Sequence, residues 1–357
     1  MTALPPPIDT DALVIGAGPA GLFTVFQLGL REIRAHVVDA LPHAGGQCVE
    51  LYGDKPLYDI PALPVTTGSE LTGRLLAQVK PFAPTLHLSQ LVSGWQRLPA
   101  QGDQPECWLV QTREGLQFRA RAVVLAAGVG AFLPRPLKIE GLDAFAPDTG
   151  LKHALPADPA TLAGQAVVIV GGGEPALAAA CALATLPQPP ASVTVQHRRD
   201  AFDAEPATLA RFAALRAAGA VQVAAGLAQG FTAADGHLTG LHVLGPDGAT
   251  HTLPLSTLLV LQGLSPRLGP LADWGLALTR RQVAVDPANF ATSLPGVYAV
   301  GDVVNYPGKQ RLILSGFHEA TLAAVAVAAQ LQGPRGPLEY TSSSAHLQRL
   351  LGVLPPA

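Results

Sequence analysis

The sequence predicts an α/β chain made of two Rossmann-like, three-layer dinucleotide-binding domains, and two observations predict it. Asp11–Gly21 reads D-A-L-V-I-G-A-G-P-A-G, and Gln165–Ala176 reads Q-A-V-V-I-V-G-G-G-E-P-A. Each is a short apolar run, then a glycine cluster, then an Ala- and Leu-rich helical pattern: Leu22–Leu30 in the first, Leu177–Leu186 in the second. Strand, tight turn and helix in that order are the context that makes a glycine run a dinucleotide fingerprint. The first glycines, Gly16 and Gly171, stand 155 residues apart, about one domain's length, so the pattern is a duplicated unit and not a solenoid period.

The bulk properties agree. A chain of 357 residues favours two cores over one. With 48% hydrophobic and 14% charged residues it can fill both. The mean hydropathy of +0.30 owes much to alanine. The richest apolar stretches, Ala176–Leu186 and Leu322–Leu331, are too short to span a bilayer, and no membrane partner is expected. The start, M-T-A-L-P-P-P-I-D-T, has neither a charged n-region nor an apolar h-region, which points to the cytoplasm. A net charge of −3 excludes a globally basic nucleic-acid binder. Cys48, Cys107 and Cys181 are scattered and odd in number, which argues against a disulfide framework and against a C-x-x-C redox pair. No metal site is expected.

Between the two fingerprints, Leu109–Thr112 and Phe118–Val124 read as hairpin strands. A Pro- and Gly-rich stretch from Gly128 to Pro159 marks the crossover between domains. Short strands follow near Val221–Ala225, Leu238–Leu244 and Leu258–Leu261, with a turn at Pro246-Asp247-Gly248. Gly296–Asp302 reads as a strand ending on Gly-Asp, Gly316–Leu331 as a helix, and Ala345–Leu351 as a short amphipathic piece. The expected organisation is a discontinuous first domain, 1–127 with 286–357, and a second domain over 128–285.

The first cluster supplies Gly16 for the tight turn, Gly18 for close approach of a pyrophosphate, and Gly21 for helix–strand packing. The helix that follows offers free N–H groups and a positive dipole end to phosphates. Asp39 closes the next apolar run, Ala35–Val38, where a carboxylate accepts ribose hydroxyls. The second cluster is Gly171, Gly172 and Gly173, with Ala176 at the third-glycine position. Its second strand, Ser192–Gln196, ends not on an acid but on His197-Arg198-Arg199. Guanidinium forks match a 2′-phosphate, which favours NADP over NAD; the bland alternative is a solvated basic turn. Gly301-Asp302, on its own, is equally an ordinary strand-end turn or a carboxylate for cofactor hydroxyls.

With these residues in place, the chain resembles the thioredoxin-reductase-like ferredoxin/flavodoxin–NADP reductases, from Asp11 to about Leu351. The matching runs are Gly45-Gly46-Gln47 with Leu51-Tyr52, Ala127–Arg135, His197–Phe202, Leu268–Leu276, Gly301–Lys309 (with Tyr306-Pro307-Gly308-Lys309) and Gly316–Ala320. The resemblance implies a flavoprotein holding FAD on the first unit and NADPH on the second. It implies that Asp39 and Gln47 hold FAD, that Tyr52 stacks on the isoalloxazine, that Val92 and Phe132 line the site, and that Asp302 and Ser343 complete it. Gly171, Gly172, Gly173 and Glu174 would hold the NADPH pyrophosphate, and His197, Arg198 and Arg199 its 2′-phosphate. Family members are commonly homodimers, so a homodimer is expected.

Three departures stand out. Glu174-Pro175-Ala176 replaces the usual Asp-Ser-Ala, and proline removes a donor that would face phosphate. Phe202-Asp203-Ala204-Glu205-Pro206 stands where relatives have Phe-Arg-Ala-His-Glu, which loses a cation and adds acids. Both are expected to weaken NADPH binding. Before the run Thr341-Ser342-Ser343-Ser344, Thr341 stands where relatives present an aromatic or histidine to the flavin's other face, with Tyr340 or His346 as substitutes.

The implied reaction passes electrons between NADPH and a one-electron carrier, ferredoxin or flavodoxin. Hydride transfer needs positioning and no acid–base side chain, so no catalytic residue is expected. Without a C-x-x-C there is no relay to a disulfide, which argues against thioredoxin reduction. Arg119, Arg121, Arg135 and Lys138 are candidates for a basic docking patch, with a solvated hairpin face as the alternative. An NAD(P)H diaphorase or quinone reductase, and a flavin- or nucleotide-binding sensor without turnover, remain open alternatives.

Overall fold

The computed structural model describes residues 6–102, 105–267, 273–333 and 339–354, without the side chains of 132, 133, 266 and 267. The chain forms two compact units, Met1–Phe132 with Pro266–Ala357, and Leu133–Ser265.

In the first unit, β1 (Ile8–Ile15) runs through the glycine turn into α1 (Pro19–Gly29), then β2 (Ala35–Val38), α2 (Gly68–Val79) and β3 (Thr85–His87). A meander of β4 (Val92–Leu98), β5 (Cys107–Thr112) and β6 (Gln117–Leu125) follows. The strands β3, β2, β1 and β6 lie side by side and parallel. The early part of β6 also pairs antiparallel with β5, Trp108 opposite Ala120. Successive side chains on a strand face opposite ways, so one short apolar run feeds two cores. Ala12 and Val14 join the core that holds α1, whereas Leu13 and Ile15 join the one with Trp108, Val110 and Phe118 of the meander. Full burial of each Leu, Val or Phe is worth about 1.5–3 kcal/mol. α1 starts at Pro19, earlier than Leu22, because proline at the first helical position gives up an N–H that would have no partner there.

The second unit repeats the scheme. β7 (Ala166–Val170) leads through a glycine turn into α3 (Glu174–Ala184), then β8 (Ser192–His197), α4 (Pro206–Ala217) and β9 (Gln222–Ala225). An antiparallel meander of β10 (Leu227–Ala234), β11 (His237–Leu244) and β12 (Thr250–Pro254) precedes β13 (Thr257–Val260), which pairs parallel with β7. Val167 and Ile169 face the helices, and Val168 and Val170 face the meander.

The chain then returns to the first unit. β14 (Val297–Ala299) pairs parallel with the last residues of β6, and α5 (Ile313–Gln332) packs beside α1. Among the described residues α5 is the one helix long and apolar enough to cross a membrane. Its Ala323, Ala324, Val327 and Ala328 are buried in the core that also holds β1 and α1, as in a core helix. The tail carries α6 (Ala345–Leu350).

The return begins at Pro266, twenty residues before the position read from the sequence. The reason is packing: Trp274, Leu276 and Val283 sit in the meander-side core of the first unit, and the Trp274 ring lies 4.5 Å from Trp95. Of the run Leu268–Leu276, residues 268–272 lie outside the described ones.

Candidate functional site

In the first unit the glycine turn is tightly constrained everywhere except where a phosphate would lie. Gly16 has φ +114°, and a Cβ there would come within 2.2 Å of the Ala126 carbonyl oxygen. A Cβ on Gly21 would reach 1.9 Å from the Gly16 oxygen. At Gly18, by contrast, the nearest atom to such a Cβ is Gly46 Cα, 4.0 Å away. Gly18 is also the N-cap of α1, and no side chain caps that end. The first turn of α1 therefore faces open space with backbone donors, the arrangement that binds a pyrophosphate.

Two loops fasten this turn. Asp39 accepts the Ala17 N–H at 2.6 Å with one oxygen and the Leu41 N–H at 2.8 Å with the other. Burial pushes the Asp39 carboxyl above its ordinary value, and the two N–H donors pull it back. Each oxygen keeps a lone pair for a ribose hydroxyl. Gly45 donates its N–H to the Ala17 carbonyl at 2.9 Å, which brings Gly46 backbone to backbone against Gly18. The next residue, Gln47, donates from Nε2 to an Asp302 oxygen at 2.7 Å. The two residues are 255 positions apart.

Asp302 reaches this place because the Gly301–Val303 turn packs on α1. A Cβ on Gly301 or Gly316 would come within 3.3 or 3.2 Å of the Ala20 Cβ, in the first turn of α1. Glu319 holds that turn from α5. Its carboxylate is fully buried; one oxygen accepts the Gly301 N–H at 2.6 Å, and the other accepts the Tyr306 hydroxyl at 2.8 Å and Lys309 Nζ at 2.5 Å. The Lys309 side chain is 6% exposed. Tyr306, Lys309 and Glu319 all fall in the family-matching runs, but at separations of 13 and 10 residues that imply no contact.

Tyr52 is half-buried at the end of a helical turn, Gln47–Glu50, and its hydroxyl lies 3.4 Å from the Cys48 sulfur. Burial pushes both phenol and thiol above their ordinary pKa values. Val92 is buried in the meander-side core, close in sequence to Gln90, whose N–H bonds the Asp39 carbonyl at 2.8 Å. The Phe132 side chain lies outside the described residues.

The structure does not bring Ser343 to this group. It is exposed, and three residues later His346 pairs at 3.3 Å with Glu32, just past the C-terminal end of α1. That end of the 11-residue helix is about 16 Å from the glycine turn. Tyr340 stands 63% exposed in the same tail.

In the second unit the two roles recur. A Cβ on Gly171 would meet the Leu261 carbonyl oxygen at 2.4 Å, whereas one on Gly173 would meet nothing nearer than 3.7 Å. Gly173 caps α3 without side-chain help. Gly172 has a different function: the His197 ring lies where its Cβ would be, at 2.7 Å. His197 Nδ1 is 2.9 Å from the Arg199 carbonyl, so the imidazole supports the turn. Arg198 and Arg199 are exposed. Asp200 is engaged by Arg216 in a two-pronged pair at 2.7 and 2.8 Å. Glu174 turns its carboxylate away from the glycine turn: one oxygen accepts the Glu205 N–H at 2.8 Å and the other the Thr208 hydroxyl at 2.7 Å. The Glu174 side chain thus ties the glycine turn to the next helix, while its backbone stands at the first position of α3, where N–H groups face an anion.

The four candidates for a basic docking patch divide between the two units. Arg119 and Arg121 pair with Asp9 and Asp11 at 2.9 and 3.6 Å, near the start of β1 and away from the glycine turn. Arg135 and Lys138 belong to the other unit, where Arg135 Nε donates to the Leu264 carbonyl at 3.1 Å.

Comparison with known proteins accords with this geometry. Residues 10–333 match the family model described as pyridine nucleotide-disulphide oxidoreductase. The chain is 53% identical over 354 residues to a ferredoxin–NADP reductase of Paracidovorax citrulli (strain AAC00-1), covering 97% of each chain. It is 55% identical over 355 residues to one of Acidovorax sp. (strain JS42), covering 98% of each. Among solved structures, a thioredoxin reductase from Gloeobacter violaceus aligns with a TM-score of 0.57 at 23% identity, covering 93% of this chain and 98% of that one. One from Lactococcus lactis gives 0.51 at 20% identity, over 90% and 99%. The structural matches share the thioredoxin-reductase-like fold with its two dinucleotide-binding sheets. On the reach of the family model and the identity to full-length relatives, the chain belongs to the pyridine nucleotide-disulphide oxidoreductase family.

Proposed function

We propose that the chain is an FAD-dependent ferredoxin–NADP reductase, passing electrons between NADPH and a ferredoxin. The observation that carries this is identity above 50% over nearly the whole length of proteins bearing that name. The first unit fits FAD on its own structure: an open glycine at a helix N-terminus, a buried carboxylate with spare lone pairs at a strand end, and a Gln47–Asp302 pair beside them. The second unit fits a nucleotide carrying an extra phosphate, with an open glycine turn and two exposed arginines after the second strand.

Bound FAD would supply the exchange between a two-electron hydride donor and a one-electron acceptor. The chain's own work is binding and orientation. Gly18 and the first turn of α1 take the pyrophosphate; Asp39 takes ribose hydroxyls; Asp302, aimed by Gln47, accepts from hydroxyls of the cofactor's middle portion. Tyr52 offers a ring for stacking, and burial pushes its phenol above the ordinary value. Flavin-mediated transfer calls on no cysteine; Cys48 and Cys181 are buried and Cys107 is half-buried, all three as free thiols.

Purified protein is expected to be yellow, to bleach on anaerobic addition of NADPH, and to regain colour when oxidised ferredoxin is added. Stopped-flow absorbance at the flavin band follows both phases. Protein that comes out colourless and resists reconstitution with FAD overturns the proposal. So does flavin that NADPH does not reduce, or reduced flavin that passes electrons to a quinone but not to ferredoxin.

A further inference from the structure

The two departures that the sequence sets against NADPH touch each other. Glu174 belongs to the pyrophosphate turn, and Glu205 and Thr208 to the loop and helix that follow the 2′-phosphate motif. The loop from 198 to 205 is fastened at four points. His197 Nδ1 meets the Arg199 carbonyl at 2.9 Å. Arg216 grips Asp200. The Asp203 N–H donates to the Gly172 carbonyl at 2.9 Å. The Glu205 N–H donates to Glu174 at 2.8 Å.

Asp203 and Glu205 thus enter the fastening through their backbone N–H groups. The N-terminal end of α4 is also spoken for. Glu205, its N-cap, supplies no side-chain cap, and Glu174 from the neighbouring turn accepts the Glu205 N–H and the Thr208 hydroxyl beside that end. An acid at a helix N-terminus stabilises it and reduces that end's attraction for a further anion. The cations on the loop are the guanidinium groups of Arg198 and Arg199. Among the described residues neither has an ion pair or hydrogen-bond partner. Two unpaired guanidinium groups on a loop held still lose less freedom on binding than two on a loose one.

We propose that Glu174 is a positioning residue that sets the preference for NADPH over NADH. By tying the Glu205 N–H and the Thr208 hydroxyl to the glycine turn it holds the 198–205 loop so that Arg198 and Arg199 are presented to the 2′-phosphate. The proposal rests on the reading of the second unit as the NADPH site.

Adenosine 2′,5′-bisphosphate and adenosine 5′-monophosphate differ only in the 2′-phosphate, and calorimetric titration of the full chain with each isolates that group. Glu174→Ala is expected to weaken the bisphosphate about tenfold, equivalent to about 1.4 kcal/mol, and to leave the monophosphate within about twofold. Thr208→Val, which removes one of the two donors and is the gentler change, is expected to shift affinity in the same direction by about threefold. In turnover the KM for NADPH rises and that for NADH does not. Equal weakening of both probes, or none, overturns the proposal: Glu174 would then support the unit generally or be idle. An Arg198→Ala/Arg199→Ala variant separates this failure from that of the underlying reading. If it keeps the wild-type preference for the bisphosphate, the 2′-phosphate site itself is misplaced.

Discussion

Glu319→Ala is expected to lower the stability of the first unit by about 3–5 kcal/mol and to strip the protein of flavin. The wild-type carboxylate is wholly enclosed and serves three donors at once: the Gly301 N–H, the Tyr306 hydroxyl and Lys309 Nζ. Truncation leaves an ammonium and two neutral donors without their acceptor in a region water barely reaches. The uncompensated charge is the largest part of the cost. Chemical denaturation measures the stability, and absorbance at the flavin band per chain after gel filtration measures retention. The flavin loss follows from position, since Glu319 holds the N–H of the residue before Asp302. Glu319→Leu with Lys309→Met removes both charges together and is expected to recover more than half of the lost stability, because an apolar pair replaces an ion pair at little net cost. It is not expected to recover flavin, because the Gly301 N–H still lacks its acceptor. A single alanine variant within about 1 kcal/mol of wild type, with flavin retained, would sink this account.

This network also marks where reading the sequence stops. The two glycine turns were legible because their signal is local: an apolar run, a glycine spacing, and a helix-forming run in fixed order. Asp39 and the pair Arg198–Arg199 were legible for the same reason, being fixed by the ends of the next strands. What was not legible is what the fold joins across hundreds of positions. Gln47 and Asp302 meet only because β14 inserts beside β6 and α5 packs on α1. The boundary at Pro266 was missed because Trp274 and Leu276 carry no periodicity that assigns them to a sheet; only the Trp95 ring across from them does. The side-chain partners of Glu174 were not legible because they lie 31 and 34 residues on. The resemblance to a family suggested a functional position for Ser343, and the structure places that stretch by Glu32 instead.

Gly18→Val is expected to give a folded protein that holds no FAD, with affinity down at least about a hundredfold, and Gly21→Val to give little folded protein at all. Both residues belong to one fingerprint, so the contrast tests which part of the turn serves packing and which serves the ligand. Gly18 has φ −72° and ψ 179°, an extended conformation open to any residue, and its added Cβ would have 4.0 Å to the nearest atom. A valine there projects into the space beside the free end of α1 and leaves the apoprotein within about 1 kcal/mol of wild type. At Gly21 the Cβ would drive to 1.9 Å from a backbone oxygen, and neither α1 nor β1 can retreat while Ala12, Val14, Val25 and Leu28 share one core. The cost there exceeds about 4 kcal/mol. The second unit supplies an independent copy of the test. Gly173 has φ −104° and ψ −178° with 3.7 Å of clearance, so Gly173→Val is expected to remain folded and yellow yet fail to bleach with NADPH. Circular dichroism, flavin content and anaerobic titration read the three variants. Flavin retained by Gly18→Val, or normal bleaching of Gly173→Val, would mean that these openings are gaps in the packing and that the dinucleotides bind elsewhere.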